Sequence, residues 1–459
     1  MTAPEARGRD HPLDLSAMRA RVLDATYVLL LSFLFLASLG VTVLSLTHGR
    51  NNVLIVSDGK SYYIWARSLL FDHDIDFRND YQLVYPPDPL PPESAAETPA
   101  GHAINKYPVG MAILETPGLL LGHIAARYVT HSPTDGVSLP YQVAVAWSLM
   151  ALYFASFILL YRAMLNLGVT RVWALAFSLM SLLGSNLIHY VAKEPGMAHA
   201  AGVAVSNILL FLITRWSSEH RKIRPVQGIL LGALVGLFFL IRNTNILIVP
   251  VLAAIVGTTR RVSFGEVVPI LAGAAGISAL QPVSLWFLWG RLRISTYVNE
   301  SFTSGMSGVA NTLLSPRHGL LVYHPWYAIL FLLVVYAAIR LPQLRRVCIA
   351  AIASFLLMAL ANGTWCCWWF GDSFGNRAFI ETIGPLSIAA ALSASHLNLG
   401  KKATAALIAV MLALVAVNLY LWVGYLLQAY PFDGNHTVAQ AYLWSFSHSL
   451  GFLLHRLSP

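Results

Sequence analysis

The sequence predicts an all-α polytopic membrane protein of the multi-span kind, with about eleven transmembrane helices (range ~10–13) and a long first outer loop carrying membrane-surface helices. Three observations predict this. Only 11% of the 459 residues are charged and 57% are hydrophobic, whereas soluble domains carry about 25% charged residues. Mean hydropathy is +0.63. Apolar runs recur to the end of the chain with no polar block between them, so one membrane domain fits better than the roughly three soluble domains that length alone suggests.

The elements follow in order. Residues 1–24 are polar and basic and read as a cytoplasmic tail. Ala25–Thr47 is uncharged and apolar, too long for a signal-peptide core and long enough to span, so it is expected to stay as a first helix. Further apolar runs are Tyr141–Leu160, Trp173–Val191, Met197–Thr214, Pro225–Ile241, Asn243–Thr258, Val267–Gly290, Trp326–Ile339, Val347–Asn362, Ala378–Ala394 and Ala403–Gln428. The membrane domain is then 25–428, with an outer loop at 48–140 and an outer C-terminal tail at 429–459. Val109–Ala126 contains Glu115 and Pro117 and is expected to be re-entrant or to lie on the outer surface. Tyr85–Ala100 is Pro-rich and reads as irregular chain. No internal repeat is evident, which counts against inverted-repeat transporters.

Net charge is +9 with pI near 9.5. In a soluble protein that would suggest nucleic acid as a partner. Here the basic residues cluster in short loops, such as Arg7, Arg9, Arg19 and Arg21, then Arg221, Lys222 and Arg224, and then Arg260 and Arg261. That is the positive-inside pattern of a multi-span protein with a cytoplasmic N-terminus, so the expected partner is the lipid bilayer and not nucleic acid. Most acidic residues fall on the opposite, outer side. The three cysteines, Cys348, Cys366 and Cys367, give no disulfide framework or metal motif.

The outer side holds the candidate chemistry. The first outer loop opens Ser57-Asp58-Gly59-Lys60-Ser61-Tyr62-Tyr63 and continues to Asp72-His73-Asp74-Ile75-Asp76-Phe77-Arg78-Asn79-Asp80. A carboxylate beside the membrane, Asp58, is well placed as a general base. It would take a proton from an acceptor hydroxyl while a sugar leaves a lipid phosphate. Lys60, Arg67 and Arg78 would steer an anionic head group, with Tyr62 and Lys106 as further binding candidates. Asp74, Asp76 and Asp80 read either as a solvated turn or as substrate contacts that could hold a divalent ion; no cofactor is required.

Four later stretches add candidates. Lys193-Glu194-Pro195 and His199 join two helices, reading equally as a helix-ending turn and as a binding site. Arg242 and Asn243 sit between two apolar runs, where a guanidinium needs an anionic partner or a route to snorkel; phosphate would suit it. Arg317, His318 and Tyr323 lie in a Pro- and Gly-punctuated loop and read as phosphate or sugar contacts or as a fixed turn. Trp365–Arg377 combines Trp368 and Trp369, whose faces stack on sugar rings, with Asp372 and Arg377 as polar anchors. An interfacial aromatic belt explains the tryptophans but not Arg377.

This pattern resembles the GT-C superfamily of glycosyltransferases, which includes protein O-mannosyltransferases and bacterial aminoarabinose lipid A transferases. It consists of a first helix, a long outer loop opening with an acidic residue, surface helices and about ten more spans. The run Asp58-Gly59 … Tyr62-Tyr63 … Asp74-Ile75-Asp76-Phe77 … Asn79-Asp80-Tyr81 also resembles uncharacterised bacterial members. The resemblance implies a polyprenyl-phosphate-linked sugar donor, a glycan, lipid or protein acceptor, inversion at the sugar, Asp58 as the catalytic general base, and a place in a bacterial plasma membrane with the active site on its outer face. Glu194-Pro195 resembles the superfamily's second acidic site. Many members carry two adjacent acidic residues at the first site; here the neighbour of Asp58 is Gly59. The competing expectation is a transporter or lipid flippase of envelope precursors, which would place charges at mid-membrane; here they gather at helix ends. A non-catalytic scaffold is the third reading.

Overall fold

The computed structural model describes residues 15–48, 53–219, 222–259, 262–293, 295, 297–298, 300–397, 399–431 and 433–457. Arg7, Arg9, Arg221, Arg260 and Arg261 of the orientation argument, and most of the 1–24 tail, lie outside them. The described residues form helices and loops, with two isolated β-bridges, Glu97 to Ala103 and Phe302 to Trp365.

The helices are α1 Leu15–His48, α2 Asp58–Arg67, α3 Arg78–Val84, α4 Gly110–Ala125, α5 Leu139–Asn166, α6 Arg171–Leu183, α7 Leu187–Ala192, α8 Ala198–Ser218, α9 Pro225–Ile241 and α10 Val249–Thr259. They continue as α11 Phe264–Ser278, α12 Leu280–Trp289, α13 Gly305–Leu314, α14 Leu320–Tyr323, α15 Trp326–Arg340, α16 Arg345–Thr364, α17 Ile383–His396, α18 Lys401–Leu426 and α19 Val438–Leu457. Seven stretches are long and apolar enough to cross a membrane: α1, α5, α8, α11 with α12, α16, α17 with the 3-10 turn before it, and α18. Four shorter apolar helices lie on the remaining predicted runs: α6, α9, the Asn243–Gly257 stretch and α15. Leu29, Phe33 and Leu36 on α1, Leu271 on α11 and Leu332 on α15 are exposed. Bands of large apolar side chains facing outward fit a lipid environment and not water.

Several predicted runs are broken, and the breaks have causes. The run Trp173–Val191 divides into α6 and α7 at Gly184, where a Cβ would lie 2.8 Å from the Met180 carbonyl oxygen and 3.2 Å from the Trp326 ring. Carbonyl groups freed inside an apolar bundle must find new donors. Asn418 of α18 supplies them, donating from Nδ2 to the Leu183 and Ser185 carbonyls at 2.8 and 3.0 Å. Its Oδ1 lies 2.7 Å from His324 Nδ1. The run Val267–Gly290 divides at Ala279, while Asn243–Thr258 and Ala378–Ala394 each begin with a 3-10 turn, Asn243–Ile248 and Arg377–Thr382.

Helix α4 is the observed form of the run expected to be re-entrant or at the surface. It packs antiparallel on α5: a Cβ on Gly122 would meet Tyr141 Cα at 2.5 Å, and one on Gly118 would meet Val145 Cα at 2.6 Å. The stretch expected as a tail after Gln428 contains α19, which packs on α18 through Gly424 and Ser445. Gln440, Ser447 and His448 interrupt its apolar pattern, so hydropathy alone conceals it.

The closest helix pair is α9 with α11. Gly228, Gly232 and Gly236 form a stripe at four-residue spacing on α9, and Gly273 answers from α11. A Cβ on Gly232 would lie 1.9 Å from the Ile270 carbonyl oxygen. Small residues let backbones approach where lipid gives no hydrophobic drive for association. Gly232→Leu is expected to lower the detergent melting temperature by several degrees, because overpacking costs at least about 1–3 kcal/mol. Gly276→Leu, on α11 with nothing within 4 Å of its Cβ, should melt like the parent. Equal melting of the two variants would refute the packing account.

Candidate functional site

Asp58 opens α2 directly after Ser57, whose φ of 52° lies in the left-handed region. The chain thus turns sharply and sets the carboxylate in the first turn, at the positive end of the helix dipole. Gly59 follows at a close approach: a Cβ there would lie 3.3 Å from the backbone of Gly196, a tight contact. The Glu194-Pro195-Gly196 turn between α7 and α8 therefore rests on the first turn of α2.

Asp58 Oδ2 accepts a hydrogen bond from Arg377 Nη2 at 2.6 Å. Arg377 starts the 3-10 turn before α17. Asn376 fixes that start, accepting from the Ala378 N–H and donating to the Trp368 carbonyl. Glu381 stands in the same turn, with no exposed surface. Both its oxygens accept from Arg242 Nη1 at 3.0 Å, and His199 Nδ1 lies 3.3 Å from Oε1. Gly202 of α8 makes room for it, since a Cβ there would meet Glu381 Cγ at 2.7 Å. Arg242 lies in the break between α9 and the next 3-10 turn.

On the loop side, Lys106 pairs with Glu93 at 3.3 Å and Glu300 at 3.0 Å. Trp365 Nε1 donates to Glu300 Oε2 at 3.2 Å. Tyr62 and Tyr107 pack with ring centroids 4.8 Å apart. The Tyr190 hydroxyl and Arg377 Nε are buried without a hydrogen-bond partner.

The electrostatics favour ionised groups. Burial alone would raise the Asp58 carboxyl, but the Arg377 guanidinium, a hydrogen bond from Tyr107 and the Lys106 charge hold it below the usual aspartate value. Burial and His189 oppose each other at Glu194, and with Arg377 nearby the outcome is again a lowered value. Burial would lower Lys106, yet Glu93 and Glu300 push it above the ordinary lysine value. Burial keeps Tyr62 and Tyr107 as neutral hydroxyls. A carboxylate poised as a proton acceptor, beside cations that can stabilise a developing negative charge, suits general-base transfer chemistry.

Of the residues singled out from the sequence, the structure brings together Asp58, Tyr62, Lys106, Glu194, His199, Arg242 and Arg377. Others are engaged elsewhere. Lys60 is buried against the Tyr85 carbonyl and Asp88, both at 2.7 Å. Asp74 accepts from Ser68 Oγ and the Asp76 N–H, Asp76 pairs with Arg78 at 2.7 Å, and Asp80 pairs with Arg67 at 2.5 Å. Lys193 reaches Ser45 Oγ at 2.8 Å, and Asn243 donates to the Phe239 carbonyl. Arg317 stacks on Trp369 at 4.1 Å, next to Trp368. His318 is buried in the left-handed region with φ 64°. Tyr323 donates to the Pro316 carbonyl, and Asp372 is exposed, its carbonyl accepting from Tyr425.

Glu381, Tyr107, Glu300 and Tyr297, which stands near Arg242 and Asp58, join the candidate site from outside the sequence-based set, while His189 and Tyr190 lie in the same His189–His199 stretch as Glu194. Glu381 had a signal: a lone carboxylate inside the apolar run Ala378–Ala394 demands a buried partner. The tyrosines had none.

No family model and no curated protein matches the sequence. The structure is similar to the crystal structure of ArnT from Cupriavidus metallidurans in the apo state, at 12% identity and a TM-score of 0.49, over 95% of this chain and 76% of that one. A likeness at that level carries no argument about activity.

The acidic cluster at 72–80 divides into structural and solvated members, and stability separates them. Asp80→Ala removes a fully buried carboxylate from Arg67, which keeps Asp72 and the Asp135 carbonyl. The expected loss is therefore somewhat under the roughly 3–5 kcal/mol of a fully orphaned buried charge. Asp76→Ala breaks an exposed pair worth about 0–1 kcal/mol. Detergent melting curves that rank Asp76→Ala as the more damaging change would contradict this division.

Proposed function

We propose that this chain is a membrane glycosyltransferase of GT-C type, moving a sugar from a polyprenyl-phosphate donor to an acceptor hydroxyl on the outer face of the plasma membrane. The observation that carries the reading is the Asp58–Arg377 pair, an ionised base in contact with a guanidinium at the head of the apolar bundle. Lys106 and Arg242 stand near by. Beside α2 runs an apolar groove of about 400 Å³, lined by Trp65, Val109, Ile113, Leu280 and Phe287 among others, of a character suited to an isoprenoid chain.

In this mechanism Asp58 takes the proton of the acceptor hydroxyl. The acceptor oxygen bonds to the anomeric carbon as the bond from that carbon to the phosphate oxygen breaks. The electron pair leaves with the polyprenyl phosphate, whose charge is met by Arg377, Arg242 and Lys106. Attack opposite the leaving group inverts the anomeric centre.

Purified protein incubated with a radiolabelled polyprenyl-phosphate sugar and a crude envelope acceptor should transfer label. Asp58→Asn should lower the rate by about 10²–10⁴-fold, the usual worth of a general base, in a protein that still folds but melts lower, because Arg377 loses its anionic partner. Full activity of that variant sinks the assignment; passage of label across vesicles without covalent transfer would point to a transporter.

The pH profile gives a second test. Catalysis needs ionised Asp58, whose proton affinity Arg377 lowers. Activity in kcat/KM should therefore persist on the acid side until below the ordinary aspartate value of about 3.9. In Arg377→Gln burial acts with less opposition, so the acid limb should move to higher pH, together with a raised KM for the donor. An unmoved limb would show that Arg377 does not tune Asp58.

A further inference from the structure

Glu194 brings a second carboxylate to Asp58 from a different loop, and one side chain faces it from α7. His189 Nε2, buried and without a hydrogen-bond partner among the described residues, lies 3.5 Å from Glu194 Oε1. The other ring nitrogen, Nδ1, accepts a hydrogen bond from Trp422 Nε1 of α18 at 3.1 Å. An indole N–H can only donate, so Nδ1 must present its lone pair, and the proton of the neutral imidazole sits on Nε2, towards Glu194. A proton on Nδ1 would set two N–H donors against each other. The ring has little freedom to turn: Tyr190 and Tyr425 pack edge-on against it at 5.0 and 5.1 Å, and His189 is 2% exposed.

We propose that Trp422 and His189 are positioning residues, acting through Glu194. Trp422 locks His189 in its Nε2–H tautomer, and His189 then holds Glu194 as an ionised, acceptor-only group that orients the incoming acceptor hydroxyl beside Asp58. This deepens the proposed function and rests on it for the identity of the acceptor. It also accounts for Gly59. Gly59 lets the Gly196 backbone approach the first turn of α2 closely, which brings the Glu194 turn to Asp58. The groups facing Glu194 are Asp58 of α2, Arg377 of the 3-10 turn, His189 and Tyr190 of α7, and Tyr425 of α18. Its neighbour Lys193 turns away to Ser45.

The test begins without substrate. Full-length protein labelled with 15N-histidine in lipid nanodiscs gives the tautomer of each ring, and His189→Gln identifies the His189 signals. Expected for the neutral ring are an unprotonated Nδ1 and a protonated Nε2, as the Trp422 hydrogen bond requires. Trp422→Phe should let the other tautomer appear, and Glu194→Gln should shift the Nε2 signal. A neutral ring protonated at Nδ1, or an Nε2 signal indifferent to Glu194→Gln, overturns the proposal.

The transfer assay then reads the consequence. His189→Ala should lower kcat/KM by up to roughly 10–100-fold, the worth of a hydrogen bond to a charged group once the 3.5 Å contact closes on the bound acceptor, and raise the pH of the acid limb. His189→Gln, which keeps a donor, should restore most of the rate. A glutamine variant as weak as the alanine one, with both folded, overturns the positioning role. Absence of transfer by the parent protein overturns the proposed function and leaves the tautomer result standing.

Discussion

A charge taken out of water must be paired, and this requirement organises the site end of the molecule. Asp58 with Arg377 and Glu381 with Arg242 are the two pairs on which the arrangement turns. Each joins segments far apart in the chain: α2 to the turn before α17, and the break after α9 to that same turn. Neither pair can form unless the helices between them are already packed. The ion pairs therefore report on the whole bundle, and the bundle fixes their geometry.

The charged residues of the site share a second property: they stand where helices start, stop or change pitch. Asp58 begins α2, Glu194 lies between α7 and α8, Arg242 follows α9, and Arg377 and Glu381 occupy a 3-10 turn. A regular helix consumes its own backbone hydrogen bonds and offers its side chains at fixed angles. A break releases backbone groups and re-aims side chains, but inside a bundle it must be supported. Asn418 beneath the α6–α7 break and Asn376 at the 3-10 turn give that support. Glycines permit the close approaches, Gly59 to Gly196 and Gly202 to Glu381.

Much of the fold was legible because lipid imposes a simple code. Apolar runs of sufficient length appear as helices at the expected places, and α19 escaped because its polar residues interrupt the run. The site was legible at residues whose cost is visible in one dimension: Arg242 between two apolar runs, Arg377 at the mouth of another, and Asp58 just past the first helix. Glu381 carried the same mark, but a single acid in an apolar run does not name its partner. Lys60, Asp74, Asp76 and Asp80 drew notice for their charge, but the folded loop gives them local partners. Spacing along a flexible loop says little about which carboxylates a fold turns inward. Tyr62 lies on the same loop and does reach the site, because α2 carries it there.

The pairing also constrains how an anion enters. Arg377, Arg242 and Lys106 each already face a carboxylate, so under the proposed function a phosphate gains no bare cation on arrival. It exchanges one anionic partner for another. Such an exchange keeps the buried charge balanced at every stage, which a lone guanidinium waiting in an apolar site would not. If the phosphate draws Arg377 away from Asp58, the carboxylate loses the neighbour that lowers its proton affinity. It then becomes a stronger base only once the donor is in place. A site organised by mutual neutralisation thus couples occupancy to basicity with no large movement of the helices, and the stiffness of the glycine-packed bundle serves that coupling.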